Sequence, residues 1–326
     1  MDSEAATKRP FHAESLSFIE RVSKFRAKPY NELTLVEARE RSRSVSVTLA
    51  GPVDYDGVRR EVFVPSDAVT DGIPVYVCRP TSVETAEKAT DVILVFYHGG
   101  GSVVGCRETV DTTCKMLSSA LRCVVVNVEY RLAPEHRFPA NVDDGCCVAR
   151  WVLDHRVELG GTVGCKVGVI GDSAGGKIAS SVAHDVEGLA FQILVYPGVS
   201  AAGSGRTFPS YSEYRDGPVL TKELVAWFDS NAADEADFTN PRFASLLRPR
   251  FDHLPPALIV IAECDQFRDE CLEYAKKLTE AGVVTDVHLA RGAIHAFYTM
   301  PGHFVQLCRE AYQKTVEFVN RIAAVK

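Results

Sequence analysis

The chain has 326 residues, with 43 acidic side chains against 36 basic ones, a formal charge of −7 and 46% hydrophobic residues. No basic block of useful length appears and no apolar run approaches a bilayer span, which argues against a nucleic-acid surface and a membrane-spanning segment. The ten cysteines show no Cys-x-x-Cys spacing, and most, such as Cys78, Cys123 and Cys264, sit inside apolar runs, so they read as buried thiols rather than metal ligands or disulfides.

Met1 to Ala5 is acidic and lacks the apolar stretch of a secretory signal. Together with the thiols, this predicts a reducing, cytoplasmic setting. Residues 1–50 are predicted as helices. Phe11, Phe18, Val22 and Phe25, with Leu16 and Ile19, recur at helical spacing, Pro29 ends that segment, and Thr34 with Glu37 forms a capping-box pattern for a second helix. Their apolar faces need covering, so they are expected to serve as a cap on the main domain, residues 51–326, or to meet a partner chain.

Glu61–Val64 and Ile73–Cys78 alternate like strands, with Asp71-Gly72 as turn chemistry between them. They predict an antiparallel edge hairpin. From there strands and helices alternate. Strands are expected at 92–97, 123–128, 167–170, 191–196, 257–262 and 284–289, and helices at 110–121, 141–157, 267–281 and 304–323. That order predicts a doubly wound α/β sheet, mostly parallel. Residues 198–250 break it: they are rich in Gly, Ser, Pro and acids around one helix near Thr221–Ser230. A connection this long is expected to form a lid or binding loop, here paired with the N-terminal helices as the cap.

Two glycine-rich turns end strands. His98-Gly99-Gly100-Gly101 follows the apolar strand that closes at Tyr97. Gly171-x-Ser173-x-Gly175 sits between a strand and a helix, the pattern of a nucleophile elbow that holds a serine hydroxyl clear of the sheet. A serine hydroxyl needs a base, and the base an orienting acid, and in open α/β sheets both gather at the carboxyl ends of strands. Asp265, directly after the strand at 257–262, is the predicted acid, whereas Asp269 falls inside the next helix. Of the later histidines, His288 lies within a strand and His303 at a helix start. His295, in a short loop after Gly292, is the natural base. Fixed backbone N–H groups stabilise an oxyanion best, and Gly99, Gly100 and Ala174 are the expected donors. A phosphate cradle would need a following Lys-Ser/Thr, which is missing after the glycines.

With these motifs the chain resembles the hormone-sensitive-lipase family of α/β-hydrolases, microbial esterases and animal arylacetamide deacetylases among them. The resemblance runs from about Ile73 to the C-terminus. It is also carried by Tyr130–Ala140, Trp227-Phe228, Leu254–Ala257, Arg268-Asp269-Glu270 and Phe297. It implies an α/β-hydrolase fold with a helical cap and Ser173, Asp265 and His295 as the triad of a serine carboxylesterase. Short- to medium-chain esters would be the small-molecule substrates, through an acyl-enzyme, with no metal or cofactor. Tyr130–Ala140 would be scaffolding beneath the site. By analogy, the last strand, near Val284–Leu289, would offer pairing across a homodimer.

Amide deacetylation with the same residues is an alternative, as is a non-catalytic receptor on the same fold. Plant gibberellin receptors resemble the family but have an altered histidine position, and His295 is intact here. A dehydrating lyase would need a changed oxyanion loop or nucleophile. The chain departs from the family at four places: Ser102 for an aromatic residue, Lys177 for asparagine, Gln266 for proline and Ala296 for glycine. These bear on substrate range, and Ser102 would make the pocket wall more open or polar.

Overall fold

A computed structural model describes residues 10–25, 27–85, 89–201 and 207–324. The acidic N-terminus read above and part of the insertion, residues 202–206, lie outside them. Eight strands form one sheet: β1 (Gly57–Val64), β2 (Ile73–Pro80), β3 (Thr90–Tyr97), β4 (Val124–Val128), β5 (Gly161–Asp172), β6 (Phe191–Val195), β7 (Ala257–Cys264) and β8 (Thr285–Ile294). Their spatial order is β1-β2-β4-β3-β5-β6-β7-β8. The hairpin β1–β2 is antiparallel, Val64 facing Ile73, and β2 meets β4 antiparallel, while every later pairing is parallel.

The helices are α1 (Ala13–Phe25), α2 (Leu35–Ala50), α3 (Thr81–Glu84), α4 (Asp111–Leu121), α5 (Ala140–Asp154), α6 (Ala174–Asp185), α7 (Pro209–Glu213), α8 (Lys222–Ala232), α9 (Arg268–Glu280) and α10 (Val305–Ala323). Thr34 caps α2 with Glu37 in the reciprocal arrangement its spacing predicts. Side chains alternate across β3 as strand geometry requires. Ile93, Val95 and Tyr97 pack with Val142 and Val148 of α5, Ile178 of α6 and Tyr274 of α9. Leu94 and Phe96 face the other way, towards Leu117 of α4 and Leu307 and Ala311 of α10. Burial on both faces explains the unbroken apolar run of this strand.

Strand β5 begins at Gly161, six residues before the run expected at 167–170, and two further features differ from expectation. Among its described residues the insertion holds the short α7 and two 3₁₀ turns besides α8. Strand β8 runs on to Ile294, five residues past the alternating pattern that ends at Leu289. The reason is a bulge: Ala262 pairs with Ala290 and Cys264 with Ile294, so β8 carries extra residues, Gly292 among them at φ +65°. His295 therefore follows the strand directly, with Gly292 inside the strand and not in a loop.

Candidate active site

Strand β5 ends at Asp172 and α6 begins at Ala174, so Ser173 alone makes the turn, at φ 55° and ψ −116°. Such a conformation costs on the order of 1–3 kcal/mol for a residue with a side chain. It is held by Ser173 N–H donating to the Val195 carbonyl at 2.9 Å and by the Ser173 carbonyl accepting from Lys177 N–H at 3.0 Å. Neighbouring glycines are demanded by packing: a Cβ at Gly171 would overlap the Gly175 carbonyl, and one at Gly175 the Tyr97 carbonyl.

The imidazole of His295 stands between two oxygens. Its Nε2 is 2.8 Å from Ser173 Oγ and its Nδ1 2.6 Å from Asp265 Oδ2. With a carboxylate accepting the Nδ1 proton, Nε2 presents its lone pair to the serine hydroxyl, the arrangement that lets it take that proton. Asp265 is 2% exposed and its other oxygen accepts from Phe267 N–H at 3.2 Å, so its orientation is fixed. The rings of Tyr196 and Phe267 lie 4.7 and 5.4 Å from the imidazole and restrict its tilt. The structure thus brings together Ser173, Asp265 and His295. The other candidates are elsewhere: Asp269 pairs with Arg268 and accepts from Ser210 N–H, His288 lies along β8, and His303 contacts the Glu14 carbonyl.

In the glycine loop after β3, Gly99 N–H already has an acceptor: it donates to Asp172 Oδ1 at 2.8 Å. Gly99, Gly100, Gly101 and Ala174 all lie on the chamber wall beside Ser173, and of the three glycines Gly99 alone hydrogen-bonds Asp172. What decides between the glycines is the tertiary contact to Asp172, which no sequence pattern displays. Both Gly100 and Gly101 have positive φ, and a Cβ on them would overlap Val104 and Phe228 respectively.

His98 props this loop. It stacks on Tyr130 with ring centres 4.3 Å apart, and Tyr130 Oη donates to the His98 carbonyl at 2.7 Å. Burial lowers the His98 pKa, which keeps the ring neutral. Burial also pushes the Asp172 carboxyl up to about 7, with His295 and the Gly99 amide pulling the other way.

The departures from the family pattern acquire definite environments. Ser102 is buried at φ 61° on the chamber wall, and its hydroxyl accepts from Asn141 Nδ2 at 2.8 Å, so the wall there is polar but not open. Lys177, 9% exposed, sets its ammonium 3.8 Å from the centre of the Phe243 ring. Gln266 donates to the Leu220 carbonyl and its own carbonyl accepts from Ser210, tying the insertion to the acid loop. Ala296 takes the left-handed conformation, φ 69°, that glycine adopts freely. In the Tyr130–Ala140 segment, Arg131 grips Asp144 through two nitrogens, and Arg39 of α2 donates to the Val103 and Ala133 carbonyls. The segment carries loops and does not itself line the chamber. That chamber, about 160 Å³, is walled by Ser173, His295, Gly100, Lys177, Leu224 and Phe228, among others.

Comparison with known proteins matches residues 94–299 to a family described as having the alpha/beta hydrolase fold. An ethyl acetate hydrolase of Pseudomonas putida is 33% identical over 301 residues, 90% of this chain and 92% of that protein. Esterase LipI of Mycobacterium tuberculosis is 36% identical over 231 residues, 68% of this chain and 70% of its own. The solved structure of a Pyrobaculum calidifontis esterase superposes with a TM-score of 0.85 at 30% identity, covering 97% of this chain and 100% of the other.

Proposed function

This chain belongs to the α/β-hydrolase-fold family, in its hormone-sensitive-lipase-like branch of carboxylic ester hydrolases, and on that premise we propose how its own residues divide the work. Ser173 is the nucleophile. As its oxygen attacks the ester carbonyl, His295 Nε2 takes the hydroxyl proton and Asp265 holds the imidazolium that results. The carbonyl oxygen becomes an anion at the N–H groups of Gly100, Gly101 and Ala174, each worth about 3 kcal/mol where such donors have been removed. His295 then gives the proton to the departing alcohol, leaving Ser173 acylated. Water, deprotonated by the same Nε2, attacks the acyl-enzyme; as the acyl–Oγ bond breaks and the acid leaves, His295 returns the proton to Ser173 Oγ.

The observation that carries this reading is the unbroken line Ser173 Oγ, His295, Asp265, with contacts of 2.8 and 2.6 Å. The small chamber supports a short to medium acyl group. Residues 1–50 and the 198–250 insertion act as the cap, a division supported by Tyr30 and Leu224 on the chamber wall. Ten cysteines, all free thiols, support a reducing compartment such as the cytoplasm. Among the described residues no helix is long and apolar enough to cross a membrane. The outer edge of β8 before Gly292, with Val287 exposed and Val284 exposed just ahead of the strand, supports pairing in a homodimer. A panel of p-nitrophenyl esters of rising chain length tests the assignment: wild type cleaves the short members, and Ser173→Ala loses at least about a thousandfold in kcat. Equal inertness of both, with a small ligand still bound tightly, would turn the reading to a receptor.

A further inference from the structure

A second hollow opens off the chamber. It is a groove of about 740 Å³ between α1, α2 and the insertion, and Tyr30, Val219, Leu224 and Met300 line both spaces. The groove and the chamber that holds Ser173 thus adjoin across these four side chains. Phe18, Val22 and Leu49 make the groove apolar, and the charged side chains on its wall, Arg21, Lys28 and Arg41, are all cationic. In a chain of net charge −7 this local sign runs against the whole.

Arg41 is built into place. Its guanidinium donates to the Lys28 carbonyl and lies 5.9 Å from the centre of the Tyr30 ring, one of the residues shared with the chamber. Glu37 is close enough to feel both Lys28 and Arg41, yet its carboxylate is held by Thr34 in the helix cap and does not line the groove. Apolar walls gain about 25 cal/mol for each Å² of hydrocarbon they cover. Arg21 and Lys28 are exposed at the rim, so an anion that reaches them gains what surface ion pairs give, up to about 1 kcal/mol each. A plain fatty ester would use the walls and leave the cations without a counterpart.

Resting on the serine-esterase reading above, we infer that the groove receives one elongated arm of the substrate, apolar along its length and ending in an anionic group. The other arm is short and fills the chamber. The long arm could belong to either half of the ester, a hemi-ester of a diacid or a short acyl ester of a hydroxy acid, and both present the same chemistry to the groove.

The test uses the full chain and two matched pairs: p-nitrophenyl decanoate against the mono-p-nitrophenyl ester of sebacic acid, and decyl acetate against an acetoxy fatty acid of equal length. In at least one pair the anionic member is expected to lead in kcat/KM by about fivefold at low salt, chiefly through KM. That lead shrinks in about 0.5 M salt and in Arg41→Gln combined with Lys28→Gln, and Arg41→Lys keeps most of it. Thermal melts establish that each variant is folded. Neutral members equal to or better than their anionic twins in both pairs, or a lead that survives the double substitution, would overturn the inference. p-Nitrophenyl butyrate separates the two levels: its cleavage without any anion preference removes this inference alone, whereas inertness towards every ester removes the serine-esterase reading as well.

Discussion

The amide of Gly99 donates to the carboxylate of Asp172 at 2.8 Å, joining the glycine loop after β3 to the residue just before the nucleophile. The contact spans the parallel pair β3–β5, whose register ends with Tyr97 opposite Gly171. One buried acid therefore sets the distance between the proposed oxyanion donors and Ser173. It also favours Gly100 and Gly101 over Gly99 as the proposed donors.

That acid makes stability depend on pH. Burial raises the folded-state pKa of Asp172 to about 7, against about 4 in an unfolded chain. Between those values the folded protein keeps a proton that the unfolded chain has released, so stability falls as pH rises and levels off above 7. Asp172→Asn retains an acceptor for Gly99 without the ionisation. Denaturant melts at pH 5 and pH 7.5 should show wild type losing on the order of 2–3 kcal/mol more than the variant. Parallel losses would contradict the linkage.

The donor assignment predicts a rescue. A Cβ at Gly101 would overlap the Phe228 ring, while the φ of +62° is one that alanine tolerates at a cost of about 1–2 kcal/mol. Gly101→Ala should lower kcat/KM at least about tenfold by displacing a donor. Adding Phe228→Ala, which clears the space, should return part of that loss. A single variant as active as wild type would remove Gly101 from the set.

Gly292 holds the base from a distance. Its N–H donates to Glu263 Oε2 at 2.8 Å, and its carbonyl accepts from His12 N–H and from Ser15 Oγ, both at 2.9 Å. Glu14, one residue before Ser15, also caps α10 through the N–H groups of Gln306 and Leu307. The segment that leads to His295 is thus clasped between the start of α1 and the end of β7. Ser15→Ala should cost about 1 kcal/mol of stability. Glu263→Ala should lower kcat with little change in KM, since it disturbs the position of the base rather than the substrate pocket. A pure KM effect in steady-state kinetics would contradict this positioning role.

Much of this site is legible in the sequence because its parts are short stretches of backbone with local requirements. Gly171 and Gly175 are dictated by contacts within the turn and with the adjacent strand, and the runs ending at Tyr97 and Ala262 mark strand ends where Asp265 and the glycine loop must lie. What escapes is set by distant contacts. The bulge that lengthens β8 past Leu289 depends on its pairing with Cys264, and Ala290-Arg291-Gly292 interrupts any alternating pattern. Ser102 reads as an open or a polar wall, and only the hydrogen bond from Asn141 shows it to be polar and closed. The insertion is opaque for a similar reason: Gln266 and Asp269, far along the chain, pin it at Leu220 and Ser210.

Covalent labelling examines the assignment of the nucleophile most directly. An alkyl fluorophosphonate should modify the native protein once, with the adduct mapping by peptide mass spectrometry to Ser173. His295→Ala should slow the labelling by at least about a hundredfold, because the hydroxyl then lacks its base. An adduct on a different serine, or labelling as fast without His295 as with it, would contradict the proposed triad.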